Sequence, residues 1–133
     1  MFSNAPILIA EDNLYLALDL SIAIEEMCGC VVGPASSIAE SLRLLATHRI
    51  AGALVDCYLG TRETTPLICQ LAERAIPFVI HTDVAVSAAM SSAAPLVPIL
   101  LKPVQAQAVL ACLLAEMGKS TDRRLIQEQK LCT

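Results

Sequence analysis

Four short apolar runs in this chain each end on residues that can do chemistry. ILIA (7–10) is followed by Glu11 and Asp12, GALV (52–55) by Asp56, FVIH (78–81) by Thr82, and VPILL (97–101) by Lys102 and Pro103. Aspartate forms strands poorly and is costly to bury, so Asp56 at the end of a run suited to a buried strand needs a reason. If these carboxylates meet, two of them about 4 Å apart repel by roughly 4 kcal/mol at an effective dielectric near 20. Glu11 worsens that, and one lysine offsets only part of it. A divalent cation that takes oxygen ligands resolves the conflict. Magnesium fits best, because it keeps waters and accepts one or two carboxylates. A cation, an exposed carboxylate, a hydroxyl and an ammonium in one crevice make a phosphoryl-transfer site. The carboxylate is then a nucleophile that forms an aspartyl phosphate. Metal and lysine neutralise charge on the transferring oxygens, and the threonine hydroxyl hydrogen-bonds the attached group.

That chemistry requires elements that bring the four run ends together. A fifth apolar run, VVG (31–33), completes a set of five, and each is followed by a segment with helical patterning. In LYLALDLSIAIEEMCG, the residues Leu14, Leu18, Ile22 and Met27 approximate one apolar face, with Asp19, Glu25 and Glu26 opposite. IAESLRLLATHR and TPLICQLAERA read the same way, the second opened by Thr65 as a cap with Pro66 behind it. AVSAAMSSAA offers little to bury and is expected to be short or mobile. QAQAVLACLLAEMG ends at Gly118, a favourable residue just past a helix. Continuous apolar strands alternating with helices predict an α/β fold with a parallel sheet covered on both faces. Right-handed crossovers then favour a flavodoxin-like (βα)5 three-layer sandwich of strand order 2-1-3-4-5. In such a sheet all strand C-termini share one edge, so Glu11, Asp12, Asp56, Thr82 and Lys102 converge. Strands 1 and 3 flank the crevice where these folds bind ligands.

Composition agrees with a single buried domain. The chain has 133 residues, 56% hydrophobic and 17% charged, with four aromatic residues, so its core is aliphatic. A formal charge of −4 gives no electrostatic reason to bind nucleic acid or an anionic membrane. MFSNAPILIAED lacks a basic segment and does not read as a signal peptide. The longest uncharged span, residues 84–101, is broken by Ser87, Ser91, Ser92, Pro95 and Pro98, which favours a soluble helix-turn-strand over a membrane span. Six cysteines without a second metal-binding pair read as reduced, small core residues. His48 and His81 read as surface and edge residues, and Arg123-Arg124 as a solvated pair.

The set Glu11-Asp12, Asp56, Thr82 and Lys102-Pro103, each behind its apolar run, resembles the receiver domain of two-component response regulators. The resemblance covers residues 6 to about 118. It implies that Asp56 accepts a phosphoryl group from a histidine kinase or histidine phosphotransfer protein. Glu11, Asp12 and Asp56, with the backbone carbonyl of Tyr58, then hold Mg2+, while Thr82 and Lys102 contact the phosphoryl group. It also implies a cis Lys102–Pro103 bond and a cytoplasmic, bacterial-type signalling protein rather than an enzyme. Such a protein acts through an unidentified protein target, alone or as a homodimer. Residues 119–133 are expected to be a tail or an extension of the last helix, with no output domain. MCGCVVGPASSIAESLRLL and IPFVI further resemble stand-alone receivers common in alphaproteobacteria.

Two departures bear on switching. That subgroup carries Phe-Ala-Thr-Gly at the end of strand 4, where this chain has Ile80-His81-Thr82-Asp83. The Asp83 carboxylate should repel phosphate unless it points outward. Receivers also often place Tyr or Phe three residues before the lysine, where this chain has Ile99. Any switch is then expected in the strand 4–helix 4 loop and helix 4. Both departures fit an alternative: a pseudo-receiver that is never phosphorylated and serves as a protein-binding module. An aspartyl-phosphate hydrolase would carry a second Asp two residues after the nucleophile, where Tyr58 stands. A nucleotide or flavin protein would show a glycine-rich loop after strand 1. Singly, each site residue has a plainer role: Asp12 a helix cap, Asp56 a turn residue, Lys102 a solvated loop residue.

Overall fold

The computed structural model describes the backbone of residues 1–131 and the side chains of residues 1–120. Elements follow in the order β1 (Pro6–Ala10), α1 (Leu14–Glu26), β2 (Cys30–Ala35), α2 (Ile38–Thr47), β3 (Gly52–Val55), β4 (Tyr58–Leu59), β5 (Arg62–Glu63), α3 (Thr65–Glu73), β6 (Phe78–Thr82), α4 (Ala88–Ala93), β7 (Ile99–Leu101) and α5 (Ala106–Leu131). The main sheet is parallel, ordered β2-β1-β3-β6-β7. With the small β4–β5 hairpin set aside, this is the 2-1-3-4-5 order expected from the alternation.

Strand residues alternate between two buried faces, which is why the runs read as continuously apolar. Leu8, Ala10, Ala53, Val55, Phe78 and Ile80 join a cluster with Leu44, Leu67, Leu71 and Met90 of α2, α3 and α4. Ile7, Ile9, Leu54 and Val79 join a second cluster with Leu20, Ile24, Val109 and Leu113 of α1 and α5. Each fully buried Leu or Ile contributes roughly 1.5–3 kcal/mol of transfer free energy, so two such layers hold the sheet rigidly. The register continues one step beyond the strands. Glu11 N–H donates to the Ala35 carbonyl at 3.0 Å, Asp56 N–H to Ala10 at 3.1 Å, and Lys102 N–H to Thr82 at 2.7 Å. These bonds fix the backbone of the residues at the open edge.

Several local expectations are corrected. The buried face of α1 is Ala17, Leu20, Ala23 and Ile24, whereas Leu14, Leu18 and Ile22 are 81%, 59% and 47% exposed. Both stripes are apolar, so periodicity could not choose between them. The stripe with two alanines lets the helix approach the sheet closely. Asn13 caps α1, its side-chain oxygen accepting from the Tyr15 and Leu16 N–H groups at 3.0 and 3.2 Å. Thr64, not Thr65, occupies the N-cap position of α3, without a side-chain capping bond. Gly118 lies within α5 rather than after it. His81 is buried. Cys28 and Cys30 are exposed while Cys57 is buried, and all five described cysteines are free. Arg123, Arg124 and Cys132 lie outside the described side chains. Helix α4 is six residues long. Among the described residues, no helix is long and apolar enough to cross a membrane.

Candidate functional site

The structure brings Glu11, Asp12, Asp56 and Lys102 together at the C-terminal edge of the sheet. Glu11, Asp12 and Asp56 each offer a carboxylate oxygen, and these oxygens lie within 4.8 Å of one another. The Lys102 Nζ donates to Glu11 Oε1 at 2.7 Å and to Asp56 Oδ2 at 2.8 Å. The Lys102–Pro103 bond is cis, as is Gly33–Pro34. Asp56 is 7% exposed, and its second oxygen, Oδ1, accepts from the Cys57 N–H at 2.6 Å. Asp12 Oδ2 accepts from the Gly60 N–H at 2.7 Å.

An open cavity of about 330 Å³ lies over this group, lined by Asp12, Asn13, Asp56, Tyr58, Gly60, Asp83, Val84 and Lys102. Tyr58 lines this cavity beside Asp12 and Asp56. Glu11 and Thr82 do not line the cavity: Glu11 is buried beneath it, and Thr82 is fully buried at the end of β6. The Thr82 hydroxyl accepts from the Val84 N–H at 3.2 Å, holding the first turn of the following loop.

Burial and crowding set the protonation states. Burial, followed by a hydrogen bond shared with Asp56, pushes the Glu11 carboxyl up to about 8, with Lys102 opposing. Burial also works to raise Asp56, but hydrogen bonds from Glu11 and Lys102 outweigh it and hold Asp56 below the usual range. Burial would lower Lys102, yet its bonds to Asp56 and Glu11 raise it, so it remains an ammonium. Without another cation, Lys102 and one proton on Glu11 offset two of the three carboxylates and leave one net negative charge. That is the state of a site built for more positive charge.

Sequence reasoning missed the residues that shape the rim. After Asp56 the chain forms the β4–β5 hairpin, with Tyr58 paired to Glu63 and Leu59 to Arg62. Gly60 turns it at φ +64°, a conformation that costs glycine least, and thereby aims its N–H at Asp12. Thr64 is fully buried; its hydroxyl contacts the Asp56 carbonyl at 2.6 Å and the Cys57 carbonyl at 3.0 Å. Gly60-Thr61 between Tyr58-Leu59 and Arg62-Glu63 was the available signal for this turn. Glu63 accepts from the Thr65 hydroxyl at 3.0 Å and also from the Ser87 hydroxyl. Ser87 in turn caps α4, accepting from the Met90 N–H at 3.3 Å. The hairpin after the phosphoacceptor candidate is thus tied to the start of α4.

A scan against protein-family models matches none, and no curated protein matches the sequence. Solved structures do match. SdrG from Sphingomonas melonis Fr1 is 31% identical, with 86% of this chain and 99% of that one covered and a TM-score of 0.67. A signal receiver domain of a modulated diguanylate cyclase from Desulfovibrio desulfuricans is 25% identical over 89% of this chain and 97% of its own, with a TM-score of 0.76. The chain belongs to the response-regulator receiver family. A third structure, a response regulator from Burkholderia pseudomallei with a phosphorylated aspartic acid, calcium ion and citrate, is 23% identical. It aligns over 92% of this receiver and 74% of its own chain, with a TM-score of 0.72. The flavodoxin-like sheet and its acidic edge are therefore those of a two-component signalling domain.

Proposed function

We propose that this receiver accepts a phosphoryl group on Asp56 from a histidine kinase or histidine phosphotransfer protein. The observation that supports this most is the Lys102 ammonium, set between Glu11 and Asp56 at 2.7 and 2.8 Å beneath an open cavity. The donor set fits a divalent cation: three carboxylates converge, all oxygen, with a single lysine to balance them. Glu11, Asp12 and Asp56, with the Tyr58 carbonyl, would hold Mg2+. When bound, the ion neutralises charge on the transferring phosphoryl oxygens.

The chain's own residues do the rest. The Cys57 N–H fixes one Asp56 oxygen, so the other is the attacking atom. It forms the new P–O bond as the donor's P–N bond breaks, and the electron pair leaves with the imidazole nitrogen. Lys102 already contacts that oxygen and stays charged to offset the incoming phosphoryl group. The Thr82 hydroxyl accepts from the Val84 N–H and keeps its own proton to donate to the phosphoryl group, which would couple that group to the β6–α4 loop. The added charge, about −1.5 to −2, then biases the α4–β7–α5 face toward a protein target in the cytoplasm. Residues 1–118 form the receiver unit, and residues 119–131 continue α5 beyond it.

Ile99, 44% exposed on β7, favours a second reading, a binding module that is never phosphorylated, since no ring can swing inward there. Mass spectrometry after incubation with magnesium and acetyl phosphate separates the two. A phosphoryl adduct on the wild type and none on Asp56→Asn supports phosphoacceptance; no adduct on the wild type supports the module.

A further inference from the structure

The rim holds one carboxylate that neither the acidic trio nor the ion pairs use. Asp83 directly follows Thr82, is exposed, and lines the same cavity as Asp12, Asp56 and Lys102. Among the described residues, no side chain hydrogen-bonds to it or forms an ion pair with it. Its charge is nonetheless felt inside: after burial, Asp56 and Glu63, it is one of the groups that hold up the Cys57 thiol beside the phosphoacceptor.

We propose that Asp83 is a specificity-determining residue, a fixed negative charge at the cavity mouth that discriminates against small anionic phosphodonors. The inference rests on the phosphoacceptor reading of Asp56. With Glu11, Asp12, Asp56 and Asp83 ionised, Lys102 and a divalent cation leave one net negative charge at the rim. Without Asp83 they leave none. A free donor must bring its phosphoryl oxygens past Asp83 before an Asp56 oxygen can form its P–O bond. The bond from phosphorus to the leaving group breaks in the same step. Its electron pair departs with acetate from acetyl phosphate, or with nitrogen from phosphoramidate, which takes up a proton to leave as ammonia. A donor protein differs in that its own surface can supply a cation opposite Asp83. Asp83 thus insulates the site from acyl phosphates while leaving it open to a docked donor.

One unit charge at the cavity mouth, facing a dianion in a nearly aqueous medium, slows encounter roughly tenfold at low ionic strength. The slowing is about threefold near physiological salt. A monoanion feels half the energy, hence roughly a threefold effect at low salt. The test is the initial rate of Asp56 phosphorylation, read by intact mass, for wild type, Asp83→Asn, Asp83→Glu and the distant exposed control Asp19→Asn. Magnesium is kept saturating. Acetyl phosphate serves as the dianionic donor and phosphoramidate as the largely monoanionic one. Asp83→Asn should react about tenfold faster with acetyl phosphate and about threefold faster with phosphoramidate at low salt. Added salt should accelerate the wild type but not Asp83→Asn, while Asp83→Glu and Asp19→Asn should track the wild type. Equal rates for Asp83→Asn and wild type, or an equal gain with both donors, overturns the inference while phosphoacceptance stands. No adduct on any protein with either donor overturns the phosphoacceptor reading itself, and this inference with it.

Discussion

Replacing Lys102 with methionine tests whether its ammonium offsets the charge of Glu11 and Asp56. Nζ lies 2.7 Å from Glu11 and 2.8 Å from Asp56, and all three side chains are largely buried. At an effective dielectric of 20, a contact with an ionised carboxylate is worth roughly 6 kcal/mol of bare attraction, which Asp56 supplies throughout and Glu11 only once it ionises. Desolvation cancels most of this, and removing one partner of a buried pair typically costs about 3–5 kcal/mol. The proton on Glu11 changes that cost with pH. The Glu11 carboxyl is raised from 4.5 to about 8, so the stability it contributes is fully present below about 4.5 and is lost as pH rises through about 8. Lys102 holds the Glu11 carboxyl down, so in Lys102→Met Glu11 keeps its proton to a higher pH; above about 8 the variant must hold a proton that the wild type has released, and its deficit grows with pH. In chelator, the variant should therefore lose about 1–2 kcal/mol at pH 6 and about 3 kcal/mol or more at pH 9. Magnesium should return part of the loss at pH 9. Because the chain has no Trp, urea unfolding is followed by far-ultraviolet circular dichroism. A loss that is the same at both pH values, or no loss at all, would refute the balance described.

Other outcomes follow from single contacts. Ile24→Ala should cost about 3 kcal/mol through an unfilled core site, and Leu18→Ala no more than about 0.5 kcal/mol; paired urea curves would expose an error in the α1 register if the order reversed. Burial first, and then the nearby Lys102 charge, lower the His81 pKa, and its Nε2 has no hydrogen-bond partner among the described residues. Stability should be insensitive to His81 above about pH 6.5 and fall as pH drops toward its folded value; a His81→Gln variant should show a shallower acid slope than the wild type. Glu63→Ala breaks the tie from the hairpin to Ser87, so amide exchange in Ala88–Ala93 should speed up by roughly tenfold, matching the loss of a charge-assisted hydrogen bond; unchanged exchange there would show the tie to be idle.

How much of this was legible in the sequence depends on the distance over which each feature is decided. Asp56 and Lys102 could be placed on one edge because a parallel sheet aligns every strand's C-terminus, whatever the helices do. The short α4 was readable from its small residues and serines. The face of α1 was not, since Leu14-Leu18-Ile22 and Leu20-Ile24 are both apolar and only the tertiary fit selects between them. His81 reads as an edge residue in isolation, yet it is buried beside β7. Gly118 looks like a stop signal, but an isolated glycine within a helix costs only about 1 kcal/mol relative to alanine, and α5 runs through it. The hydrogen bond between Glu63 and Ser87 spans two loops, and no local pattern marks it.

The most direct test of the central claim, that the rim around Asp56 is a phosphoryl-accepting site, is fluorine NMR of the chain with magnesium and beryllium fluoride, a phosphoryl mimic. Bound fluorine signals should appear for the wild type only when magnesium is present, and should vanish in Asp56→Asn. Signals that persist without Asp56, or none in the wild type with saturating magnesium, would contradict the claim.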